Sequence, residues 1–153
     1  PDCFHDVFGH VPLLINPVFA DYMQAYGEGG LKAERLQVLP MLARLYWYTV
    51  EFGLIQTADG LRIYGAGIVS SKAESLYSLD SDAPHRVGFD LRRILRTEYK
   101  IDDVQKTYFV IRDFAQLFDQ TRADFTLIYD ELKALPSFSA DQIQVGDQIV
   151  SRT

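Results

Sequence analysis

Apolar positions fall at helical spacing over most of this chain, broken by a short stretch with strand character and a turn in its middle. Asn16-Pro17 has the form of an N-cap with proline at the first helical position, and Gly27 that of a stop, so a helix near 17–26 is predicted. Gly27-Glu28-Gly29-Gly30 then reads as a loop, and Leu31–Val38 as another short helix before Pro40. From Pro40 to Phe52 the positions Met41, Leu42, Leu45, Tyr46, Thr49 and Val50, with Gly53 behind them, predict a mostly buried helix.

Leu54–Thr57 and Leu61–Gly65 flank Ala58-Asp59-Gly60, an Asp-Gly signal for a hairpin. Ser71-Lys72-Ala73-Glu74 has capping-box spacing and opens a helix through about Leu79, while Ser81 to Gly88 reads as a loop. Asp90 caps a helix over Leu91–Thr97, and the β-branched and aromatic run Thr107–Ile111 reads as a strand. Phe114, Leu117, Phe118, Phe125, Ile128, Tyr129 and Leu132 form a long amphipathic pattern that ends before Pro136. The expected fold is mainly α with a small antiparallel β element. It divides into one domain over 1–136 and a polar, weakly structured tail over 137–153.

Composition narrows the function. With 153 residues, 48% hydrophobic and 24% charged, the chain fits one ordinary globular domain. A net charge of −6 and a pI near 4.9, without a long Lys/Arg cluster, argue against nucleic acid or an anionic membrane surface as partner. No apolar run reaches the roughly 20 residues that span a bilayer. The one cysteine, Cys3, cannot build an internal disulfide; it suits a reducing cytoplasm and reads as a small buried hydrophobe.

The candidate chemistry sits at the chain start. His5 and His10 are two of only three histidines and stand five positions apart among apolar residues. In an ideal α-helix that spacing leaves them roughly 140° apart, but Gly9 between them and Pro12 after them let the backbone widen or break and turn both rings inward. Glu51, deep in an apolar helix, would be costly there unpaired. Two imidazoles and one carboxylate make a three-ligand site with open positions, as in non-haem iron oxygenases, and the same ligand types serve catalytic zinc. The competing possibility is a purely structural origin, with Glu51 paired to Arg44. His85, beside Pro84 and Arg86, reads as an exposed bystander.

Longer motifs add a specific resemblance. Pro1-Asp2, His5, Gly9-His10-Val11-Pro12-Leu13, Tyr46 through Leu54 and Tyr64-Gly65-Ala66-Gly67-Ile68-Val69-Ser70-Ser71 resemble the tetrahydropterin-dependent aromatic amino acid hydroxylases. The bacterial, phenylalanine-hydroxylating branch is favoured by Leu13–Tyr22 and Lys106–Ile111. The resemblance runs from Pro1 to about Asp124, and none is evident after Ser137.

That resemblance implies the C-terminal part of a catalytic domain, a helical basket around a mononuclear metal. Its preceding part would supply an arginine for the substrate carboxylate and a loop over the pterin. His5, His10 and Glu51 become ligands of Fe(II). Trp47, one turn before Glu51, packs against the aromatic substrate; Gly67 and Ser70 lie beside the substrate, and Ser70 and Tyr46 are the candidate catalytic residues, Tyr46 standing behind the metal. Pro1 walls the substrate ring and Asp2 orients His5. Asp6 occupies a position where many members carry a glutamate bordering the pterin, and Phe4 lines the same region. The implied reaction hydroxylates L-phenylalanine to L-tyrosine with O2 and a tetrahydropterin, in a cytoplasmic monomer. Tyrosine or tryptophan hydroxylation on the same scaffold, a metal-binding fragment without turnover and a zinc hydrolase are the rivals.

Overall fold

The computed structural model describes residues 3–151. A π-helical segment over His5–His10 and a 3₁₀ turn over Val11–Ile15 lead into α1 (Pro17–Arg35) and α2 (Leu39–Tyr46), and a second π-helical segment covers Trp47–Glu51. Then follow β1 (Leu54–Thr57), β2 (Gly60–Ile63), α3 (Ala66–Val69), α4 (Lys72–Asp80), β3 (His85–Gly88), α5 (Leu91–Arg96), β4 (Thr107–Ile111), α6 (Phe114–Thr121) and α7 (Thr126–Leu132). The fold is mainly helical, with one small sheet. Among the described residues no helix is long and apolar enough to cross a membrane.

Caps read from sequence close where expected. Asn16 Oδ1 accepts from the backbone N–H of Val18 at 3.0 Å, Ser71 Oγ from Glu74 at 3.2 Å and Asp90 Oδ1 from Arg93 at 2.8 Å. The hairpin forms at Asp59-Gly60, with Gly60 at φ +99°. Yet the sheet is larger than the antiparallel pair expected: its order is β2-β1-β4-β3, and β4 pairs in parallel with both β1 and β3. Ser81–Gly88 is therefore not all loop. His85–Gly88 is too short to show a pattern, and its partner lies about twenty residues downstream, so only tertiary pairing reveals it.

Strand β4 is the pivot of the core. Phe109 and Ile111 join the main cluster with Phe19, Leu45 and Ile94, whereas Tyr108 and Val110 join Leu54, Leu61 and Ile68 on the other face. Two further boundaries differ from expectation. Helix α1 runs through Gly27, Gly29 and Gly30 to Arg35, because burial of Phe19, Tyr22 and Ala33 outweighs the weak propensity of glycine. The pattern from Phe114 to Leu132 breaks into α6 and α7 around Arg122–Phe125.

Among the described residues the tail after Ser137 forms no helix or strand beyond isolated bridges of Phe138 with Thr97 and Ile149 with Val87, but it is tied down. Phe138 donates to Arg96 O at 2.7 Å and Val150 to Arg86 O at 2.8 Å, and Asp147 pairs with buried Arg93 at 3.0 Å. Cys3 is exposed, not buried, since the helical start it belongs to faces outward.

Candidate metal centre

Both π-helical segments serve the same end. In the first, hydrogen bonds reach five residues back, so the spacing that an α-helix would splay instead brings His5 and His10 to one side. Gly9 between them sits against α3, and a Cβ there would lie 2.7 Å from Ala66 Cβ; only glycine lets the segment come this close. The second segment ends with Phe52 N–H donating to Trp47 O at 2.8 Å, which turns Glu51 toward the two imidazoles. Gly67 brings α3 in from the third side, because a Cβ would meet the Phe52 ring at 2.9 Å.

The donor atoms converge. His5 Nε2 lies 3.0 Å from His10 Nε2 and 3.5 Å from Glu51 Oε2, and His10 Nε2 lies 3.3 Å from Glu51 Oε1. Donors about 2.1 Å from a common ion stand about 3.0 Å apart at right angles and about 3.4 Å at tetrahedral angles. The triad has the dimensions of a cage for one ion. Arg44 does not compete for the carboxylate, because its Nη1 donates to Leu95 O at 2.9 Å. Among the described residues no Lys or Arg pairs with Glu51.

Around the triad opens a cleft of about 630 Å³, lined by His5, Trp47, Glu51, Phe52, Gly67, Ser70 and Ile101. It has a polar floor and aromatic walls, dimensions suited to an aromatic amino acid. Residues 1–144 match the family described as biopterin-dependent aromatic amino acid hydroxylase. The chain belongs to that family. It is 70% identical over 99% of its length to phenylalanine-4-hydroxylase of Ralstonia nicotianae and 63% identical over 99% to that of Chromobacterium violaceum. It spans 48% and 51% of those two proteins, about half of each. The crystal structure of the Chromobacterium violaceum phenylalanine hydroxylase bound to cobalt superimposes with a TM-score of 0.96, at 63% identity, over 98% of this chain and 54% of that one. Similarity thus continues past Ser137, where the sequence motifs show none.

The hydroxylase motifs are distributed unevenly around the site. Trp47, Gly67 and Ser70 lie in the cleft with His5 and Glu51. Tyr46 stands behind it, its ring 6.4 Å from that of His10. Burial, then the charges of Glu51 and Asp6, raise the Tyr46 hydroxyl pKa, so the phenol stays neutral. Asp6 is exposed on the outer side of the first segment. Phe4 is exposed too and stacks on Phe8 at 4.8 Å, outside the cleft lining. Pro1 and Asp2 lie outside the described residues. Sequence reasoning missed Phe52 and Ile101 as lining. Ile101, 78% exposed in a run of charged neighbours, carried a signal: an apolar side chain without a core to fill.

Proposed function

We propose that this chain forms the metal-holding part of a pterin-dependent phenylalanine 4-monooxygenase, with His5, His10 and Glu51 as the iron ligands. The observation that carries the reading is the convergence of two imidazole Nε2 atoms and one carboxylate, with His5 and Glu51 also lining a partly aromatic cleft. When bound there, Fe(II) with a tetrahydropterin supplies the reducing power that activates O2. The chain's own residues do the rest. Trp47 presents its apolar indole as a wall beside the substrate ring, Gly67 leaves room for its backbone, and Phe52 and Ile101 add apolar lining. Asp6 and Phe4 face the pterin side in this reading, and Pro1 walls the ring.

Several features support the wider reading. The relatives named above are phenylalanine-4-hydroxylases, and a related structure is bound to cobalt. The acidic balance favours small-molecule partners over nucleic acid, and one exposed cysteine suits a reducing cytoplasm.

An anaerobic Fe(II) titration of the full-length protein, run beside His10→Ala and Glu51→Ala, tests the assignment. One site per chain, lost in both variants, with pterin-dependent conversion of L-phenylalanine to tyrosine, is the expected result. Stoichiometric iron in His10→Ala overturns the ligand set. Hydroxylation confined to tyrosine or tryptophan, or a zinc-dependent hydrolysis without O2 consumption, overturns the substrate and reaction.

A further inference from the structure

Stacking fixes the plane of the Trp47 indole but not its rotation within that plane. The ring lies on Tyr99 at 4.3 Å with an interplanar angle of 14°, and its other neighbour, Phe52, is 4.7 Å away at 33°. Its one polar atom supplies the missing constraint. Trp47 Nε1–H donates to Gln105 Oε1 at 2.8 Å, across 58 residues of chain.

Gln105 is itself held from three directions. Its side-chain NH2 donates to the carbonyls of Lys100 and Asp103, each at 3.1 Å, which settles the amide so that its oxygen faces the indole. Its backbone N–H donates at 3.1 Å to Glu74 Oε1, the oxygen that also receives the Tyr108 hydroxyl from β4. Glu74 and Gln105 are both buried. The glutamate of the capping box is thus turned inward, away from its own helix start. An apolar side chain would fill the Gln105 site without needing any partners, so the carboxamide is there for direction rather than packing.

The two carbonyls that Gln105 binds flank Ile101 in the chain, and Ile101 lines the same cleft as Trp47. One buried carboxamide therefore ties down two parts of the lining. We propose that Gln105 is a positioning residue that fixes the Trp47 indole and the Lys100–Asp103 loop around the aromatic substrate. The inference rests on the reading of the cleft as an amino acid site, and it acts through Trp47 rather than by touching the reacting atoms.

The test uses Gln105→Met, Trp47→Phe and the double variant in the full-length, iron-loaded protein, with the metal-free protein in parallel. Methionine keeps the length of the side chain and removes its directional hydrogen bonds. Expected is a rise of about tenfold in KM for L-phenylalanine with kcat little changed, the scale of one lost directing contact. On the Trp47→Phe background, where no indole N–H remains, the rise shrinks to about threefold or less. In the metal-free protein the indole N–H resonance, assigned by its loss in Trp47→Phe, exchanges with solvent slowly in the parent and at least about tenfold faster in Gln105→Met. An equal KM effect on both backgrounds, a fall in kcat alone, or fast indole exchange in the parent protein overturns the proposal. If Gln105→Met loses its far-UV CD signal, exchange in the parent decides. If L-phenylalanine is not a substrate, the functional reading fails while the exchange measurement still judges Gln105.

Discussion

Ser70 Oγ lies 2.9 Å from His5 Nδ1, across 65 residues of chain. The serine hydroxyl also donates to Ala66 O at 2.9 Å, so toward His5 it can only accept. That assigns the proton of His5 to Nδ1 and leaves Nε2, the atom facing His10 and Glu51, with its lone pair available for a metal. The resemblance implies Ser70 beside the substrate; in the fold it lines the cleft and also orients His5, a proposed ligand.

Ser70→Ala therefore keeps all three proposed ligands but removes one hydrogen bond that orients the ring of His5. Metal affinity is expected to fall by about 10- to 100-fold, with the metal-free protein folding as before. Isothermal titration with Fe(II) or Co(II) under anaerobic conditions reads this directly. An unchanged affinity would mean that the packing of the first helical segment alone holds the ring.

A second prediction comes from α1. Gly27 lies in the body of the helix, is exposed, and an added Cβ would meet nothing within 4 Å. Gly27→Ala should stabilise the fold by about 0.5–1 kcal/mol, mainly by restricting the unfolded chain. For a chain of this size that is a gain of about 1–4 °C in Tm. Calorimetry showing a loss would place an unseen neighbour on that face.

The same helix shows where sequence reading runs out. Caps at Asn16, Ser71 and Asp90 and the Asp59-Gly60 turn were legible because each is decided within four residues of chain. Gly27, Gly29 and Gly30 have the local look of a stop, and the burial that overrides them at Ala33 is a tertiary fact. Strand β3 was invisible for the same reason. The triad of His5, His10 and Glu51 was legible as a candidate from residue types, which suit a structural pairing as readily as an ion, and the longer motifs made it specific. Its support was legible only in part: Gly9 between the histidines signals the widening, but neither Ser70 behind His5 nor Gln105 behind Trp47 leaves a local mark, because each depends on contacts between distant segments.

The tail offers a third prediction. Arg93 is 6% exposed and Asp147 only 5%, and the guanidinium also donates to Thr97 Oγ1 at 2.7 Å and Gln142 O at 2.6 Å. Asp147→Ala strands that charge in the interior and is expected to cost about 3 kcal/mol. Replacing both partners by apolar residues should recover most of it. Urea denaturation of the single and double variants makes the comparison; a single variant within error of the parent would show that the Arg93–Asp147 pair contributes nothing to stability.

The last prediction concerns alkaline pH. Burial pushes the Tyr129 hydroxyl up to about 12 from its ordinary 10 and raises the Tyr22 hydroxyl further, partly offset by a 2.9 Å hydrogen bond with Thr49. The folded state thus keeps these phenols neutral where the unfolded chain has begun to lose their protons. Below pH 10 both states hold the proton and the tyrosines add no pH dependence. Between 10 and about 12 the unfolded chain binds fewer protons, so stability falls as pH rises through that window. Urea midpoints at pH 9 and pH 11.5 should therefore separate in the parent protein. In Tyr129→Phe the separation should narrow, since one phenol no longer resists ionisation. An unchanged separation would show that Tyr129 ionises as freely in the fold as outside it, and that burial there does not exclude its charge.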